Sequence, residues 1–142
     1  MPAINFFTEN INYIIRDKKK IRELLFMIIK KEKKNISEQV NIILTDDETL
    51  LKINIDFLGH DTYTDTITFS YNDSDNEVFG DIYISLDMVR ENAKTFKTSI
   101  QKELVRIMVH GTLHLCGYED KTENSISDKM FYLQEKYLKS YK

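Results

Sequence analysis

At 142 residues, 42% hydrophobic and 11% aromatic, the chain can bury one core, which excludes a disordered or fibrous protein. Its single cysteine, Cys116, excludes an intrachain disulfide; no stretch approaches the ~20 apolar residues of a membrane span, and no charged-then-apolar leader opens the chain, so a soluble protein of the reducing cytoplasm is expected. Net charge is −3, yet Arg16 to Lys34 holds nine Lys or Arg against three acids, a local +6 that is either a solvated helix face or a phosphate-binding patch.

No repeat, linker or low-complexity stretch divides the chain, so residues 1–142 read as one domain. The segment AINFFTE predicts a first strand. After Asp17, Ile21, Leu24, Leu25, Ile28 and Ile29 recur at helical spacing, which predicts an amphipathic helix with the basic patch on its polar side. EQVNIILT predicts a second strand. Thr45 followed by Glu48 predicts a capping box opening a short helix that runs to about Phe57 and ends at Gly59. TITFSY and EVFGDIYISL alternate strictly around the turn NDSDN and predict a hairpin. The remainder is helical: a short helix near Asp87 to Thr95, a longer one from Thr98, capped with Gln101, to about Cys116, and a last one carrying Ile126, Met130, Leu133 and Tyr137. The order β, α, β, α, β, β, α, α, α is α+β: a small mixed sheet of about four strands packed with helices, its strand order open.

The Thr98 helix carries the chemistry. At about 100° per residue, Ile100, Leu104, Ile107, Met108 and Leu115 take one face and Val105, Val109 and Cys116 another, which leaves a polar stripe of Glu103, Arg106, His110 and His114 on a central, twice-buried helix. His110 and His114 fall on one face, so they form either a bidentate metal clamp or a pair of structural histidines. Gly117 suits the left-handed conformation that ends a helix and lets the chain reverse, bringing Asp120 toward the imidazoles as a third donor. Three protein donors with a fourth position for water is the layout of a catalytic zinc site. Cys116 points about 140° away and reads as core. His60, in the loop FLGHDTYTD, reads as a polar loop residue and Arg106 as the ion-pair partner of Glu103, with a second reading as a cation near the histidines. Asp65 and Asp81 read as turn or cap residues.

These residues match a known pattern. HGTLHLCGYED resembles the H-G-x-L-H-L-x-G-Y-D-H signature of the YbeY family of metal-dependent endoribonucleases of bacterial ribosomal RNA maturation. LKINIDFLGHDTYTDTITFSY is similar to the family's asparagine-bearing helix, loop and T-D strand, through Asn54, Asp61, Thr64, Asp65 and Phe69; GDIYIS matches its G-D-I segment at Gly80, Asp81 and Ile82. The resemblance implies a single YbeY-like hydrolase domain holding one zinc ion per chain on His110, His114 and Asp120, where the family usually has a third histidine. It implies a cytoplasmic endoribonuclease that acts on single-stranded ribosomal RNA, in 3′-end maturation of the small-subunit RNA and in ribosome quality control. Metal-activated water would attack the phosphodiester, Arg106 would be a candidate cation, and the ribosome or small-subunit proteins would be partners. Leu58 stands where the family has an arginine. Two other readings remain: a metal-stapled, non-catalytic ribosome-assembly factor, and a metallohydrolase of another substrate such as peptides. The histidine spacing is also similar to that of metzincin proteases, but those carry a glutamate general base where this chain has Gly111.

Overall fold

Four strands and five helices alternate along the chain in the expected order, in a computed structural model that describes residues 3–119 and 124–141, and of residues 124–127 the backbone alone. The strands are β1 (Ala3–Thr8), β2 (Asn35–Thr45), β3 (Thr66–Ser70) and β4 (Glu77–Ser85); the helices are α1 (Lys18–Lys31), α2 (Asp47–Ile53), α3 (Leu86–Thr95), α4 (Ile100–Leu115) and α5 (Asn124–Leu138). A π-helical turn, Asn54–Leu58, extends α2, and Gly59 at φ 69° stops it. The sheet order is β1-β2-β4-β3, with β1, β2 and β4 parallel and β3 antiparallel at the edge.

The alternation of each strand decides what faces the helices. Val40, Ile42 and Leu44 of β2 pair with Gly80, Ile82 and Ile84 of β4 on one face, all but Gly80 among the buried apolar core beneath α1 and α4. The α1 stripe of Ile21, Leu24, Leu25, Ile28 and Ile29 is buried as expected. By register, Thr66, Thr68 and Ser70 share that helix-side face, opposite Ile84, Ile82 and Gly80. Edge strand β3 therefore presents hydroxyls toward α4.

Both expected capping boxes are displaced by one residue. Thr45 does not cap α2: it is the last residue of β2, paired with Ser85, and its hydroxyl donates to the Glu9 carbonyl at 2.8 Å. Asp46 caps instead, accepting from the Thr49 amide at 2.8 Å. At α4 the cap is Ser99, which accepts from the Lys102 amide at 3.0 Å, while the Gln101 side chain donates to the Arg16 carbonyl and the Tyr141 hydroxyl. In both places the strong local signal had a competing polar residue beside it, and tertiary partners decided.

Two glycines set how closely the helix meets the sheet. A Cβ on Gly111 would stand 2.7 Å from Ile82 Cγ2, so the turn of α4 beside His110 rests directly on β4. A Cβ on Gly80 would lie 2.1 Å from the Phe69 carbonyl oxygen and 2.7 Å from Leu115. A larger residue at Gly111 would push α4 off the sheet, and one at Gly80 would strike the β3 backbone before it met the end of α4.

Candidate metal centre

The last turns of α4 bring the His110 and His114 rings to 4.7 Å between centroids at 83°, with Nε2 atoms 3.1 Å apart. The other nitrogen of each ring is held. His110 Nδ1 lies 2.7 Å from Gln134 Oε1, and His114 Nδ1 lies 3.0 Å from the Tyr118 carbonyl oxygen. Both partners are acceptors, so each Nδ1 carries the hydrogen, and each Nε2 directs a lone pair toward the other. The Gln134 amide is oriented because its Nε2 donates to Glu135 Oε2 at 3.1 Å. Glu135 in turn receives Arg106 Nη1, and Arg106 Nε sits 3.1 Å from Glu103 Oε1. A chain of polar contacts thus runs from buried Glu103 across α4 and α5 to His110.

The second support is made by the end of α4. Gly117 takes φ 108°, its amide donating to His114 O and that of Tyr118 to Leu113 O, which turns the Tyr118 carbonyl back onto His114. Glu32, at the end of α1, accepts the Tyr118 hydroxyl at 2.6 Å and the Tyr137 hydroxyl as well. Burial and then the hydrogen bond to Glu32 push the Tyr118 phenol up to about 12, and the same causes raise Tyr137. One carboxylate therefore ties α1, α5 and the turn that holds His114.

This pair suits a metal ion. Two nitrogens each ~2.0–2.1 Å from a tetrahedral zinc stand about 3.4 Å apart. The observed separation is near that value, and the acceptor at each Nδ1 favours the tautomer in which Nε2 is the metal donor. The pair lines a cleft of about 680 Å³ whose opposite wall includes Thr66, Thr68 and Ser70 of β3, with His60 and Tyr63 from the preceding loop. That loop is anchored by Asn54, a buried side chain whose amide donates to Thr62 O at 2.8 Å.

The other residues singled out by sequence fall as follows. Asp120 lies outside the described residues. Among the described residues no group of three His, Cys, Asp or Glu side chains is placed to share an ion. Cys116 is buried, and desolvation pushes its thiol up to about 12, as befits core rather than a thiolate donor. His60 is an exposed part of the cleft wall. Arg106 forms the expected pair with Glu103, but it also holds Glu135, so its charge is balanced by two carboxylates. That places it as a positioning residue behind His110 rather than as a cation offered to phosphate. Asp65 lines the cleft; Asp81 accepts from Asn41 and Tyr71, on the sheet face turned away from α4. Gln134 and Glu135 escaped the sequence reading. The signal for Gln134 was a polar residue within the buried stripe of Met130, Leu133 and Tyr137.

Comparison with known proteins now bears on this geometry. The family model described as endoribonuclease YbeY matches residues 4–142. The chain belongs to the endoribonuclease YbeY family. Relatives named endoribonuclease YbeY include proteins of Christiangramia forsetii, 46% identical over 84% of this chain and 82% of that one, and of Cytophaga hutchinsonii, 47% identical over 84% and 83%. The solution structure of TM1509 from Thermotoga maritima superposes with a TM-score of 0.68 at 34% identity, covering 97% of this chain and 88% of that one. The fold, a four-stranded mixed sheet with helices, agrees with that neighbour. No helix among the described residues is long and apolar enough to cross a membrane.

Proposed function

We propose that this chain is an endoribonuclease that uses one zinc ion to hydrolyse single-stranded ribosomal RNA, acting in the cytoplasm at the 3′ end of the small-subunit RNA and in ribosome quality control. The observation that carries the reading is the approach of the His110 and His114 Nε2 atoms to 3.1 Å at the wall of an open cleft, with both Nδ1 atoms held by acceptors. Family membership supports RNA as the substrate.

His110 and His114 would hold the ion, and Asp120, next in chain order beyond the Gly117 turn, is the third donor in this proposal. A zinc ion bound there supplies Lewis acidity toward a phosphodiester and brings the pKa of a coordinated water to about 7. The protein's own part is to fix the donors. Gln134 and the Tyr118 carbonyl keep each imidazole in one tautomer and one orientation, so no reorientation is needed when the ion arrives. Gly111, directly after the first histidine, offers no side chain to shuttle protons, which separates this site from zinc peptidases with glutamate there. On β3, the exposed Ser70 hydroxyl gives the cleft a donor for a phosphate oxygen, whereas the Thr66 hydroxyl already donates to the Tyr83 carbonyl.

The test is zinc content together with cleavage of single-stranded ribosomal RNA for wild type, His114→Ala, Asp120→Ala and Asp120→His. Wild type is expected to bind one zinc and cut. His114→Ala is expected to lose both properties, Asp120→Ala to lose most of its metal, and Asp120→His to retain it. Zinc-loaded wild type that leaves the RNA intact overturns the endonuclease reading; Asp120→Ala with wild-type zinc content overturns Asp120 as ligand.

A further inference from the structure

Proteins that grip single-stranded RNA stack its splayed bases on exposed aromatic rings. Phe96, at the end of α3, and Phe131, on α5, are each 61% exposed, and they line one cleft of about 440 Å³. This cleft shares Asp65, Thr66 and His110 with the larger one that holds the histidine pair. Whatever fills it abuts the proposed metal site.

Its chemistry suits a base and repels a phosphate. Besides Thr66 and His110, its polar lining is the carboxylates of Asp65 and Glu103, the amides of Asn92 and Gln134, and Arg106, whose charge is already shared between Glu103 and Glu135. Among the described lining residues, Arg106 is the one Lys or Arg, and two carboxylates already hold it. Asp65 Oδ2 is met by Asn92 Nδ2 at 3.5 Å, a long contact that a better donor can replace. The volume lies in the range of small-ligand pockets, about 300–1,000 Å³.

We propose that this cleft is a base-binding subsite beside the scissile phosphate, in which Phe96 and Phe131 take the π-face of one nucleobase and Asp65 accepts from its exocyclic amino group. The subsite thereby favours adenine, cytosine or guanine over uracil. The proposal rests on the endoribonuclease reading above.

The chain contains no tryptophan, so Phe131→Trp makes a single-tryptophan reporter at the subsite. Titration of the zinc-loaded variant with oligoadenylate and oligocytidylate is expected to quench its fluorescence, with oligouridylate weaker and Asp65→Asn erasing the difference. In cleavage assays Phe96→Ala and Phe131→Ala are each expected to raise KM roughly tenfold, the loss of one stacked base, with zinc content and melting temperature kept and Phe131→Tyr restoring KM. Unchanged KM in both alanine variants, or an unquenched Phe131→Trp chain that still cleaves the oligonucleotides, overturns the subsite alone. A wild-type chain that neither binds nor cleaves RNA overturns the subsite and the endoribonuclease reading together.

Discussion

Replacing Gln134 by leucine removes the acceptor of the 2.7 Å contact to His110 Nδ1 while keeping the side-chain volume close to that of the glutamine. Gln134 is only 8% exposed, so water does not readily replace the lost carbonyl, and the His110 N–H is left without its acceptor. Losing such an outer partner of a metal-ligating histidine typically costs 10–100-fold in affinity, about 1.4–2.8 kcal/mol. Gln134→Leu is therefore expected to weaken zinc binding by about that factor in a competition titration against a chromophoric chelator, and the orphaned N–H is expected to lower the melting temperature of the metal-free chain as well, by a destabilisation of about 1–3 kcal/mol. Gln134→Glu keeps an acceptor at the same atom and makes the imidazole a stronger donor, so it is expected to restore affinity. Zinc affinity of Gln134→Leu within twofold of wild type would refute the claim that this contact sets the His110 tautomer.

Gly111→Ala forces a methyl against Ile82 and should destabilise the fold by about 1–3 kcal/mol in urea unfolding, with zinc binding weakened in the surviving folded fraction. Cys116, its thiol pushed up to about 12 by burial, should resist a thiol reagent at pH 8 in the folded chain and react fully in denaturant. Tyr118 is raised to about 12 from an unfolded value of about 10; folding favours the neutral phenol, so its contribution to stability is complete below about pH 10 and is lost as pH rises from there toward 12. Unfolding followed across that alkaline window should show stability falling with pH, and Tyr118→Phe should flatten the fall.

What was legible in the sequence was what repeats locally. The α1 stripe, the β3–β4 hairpin, the burial of Cys116 and the two histidines on one face of α4 all follow from periods of 3.6 or 2. Strand order was not legible, because the parallel pairing of β1 with β2 and β2 with β4 joins segments whose patterns are compatible with several neighbours. The caps shifted by one residue because Thr45 and Thr98 each stand beside a second good cap, Asp46 and Ser99, and only tertiary contacts choose. At the site, the pairing of the two histidines was readable and its supports were not. Gln134 and Glu135 lie more than twenty residues beyond His110 and Arg106 in the chain, and they meet them only once α5 packs on α4. Arg106 reads from the sequence as the ion-pair partner of Glu103, with a second reading as a cation near the histidines; Glu135, its second carboxylate, is met only in the fold. The alternation of β3 was legible too, but not that its Ser and Thr face borders the cleft, which depends on its place at the sheet's edge.

The central claim is that the His110–His114 clamp holds a catalytic zinc for RNA cleavage. It is tested most directly by titrating zinc into metal-depleted protein while following cleavage of a single-stranded oligonucleotide that spans the 3′ end of the small-subunit ribosomal RNA. Activity that is absent at the start and rises to a plateau at one zinc per chain is the predicted result. Cleavage that persists in excess chelator, or none at one equivalent of bound zinc, would contradict it.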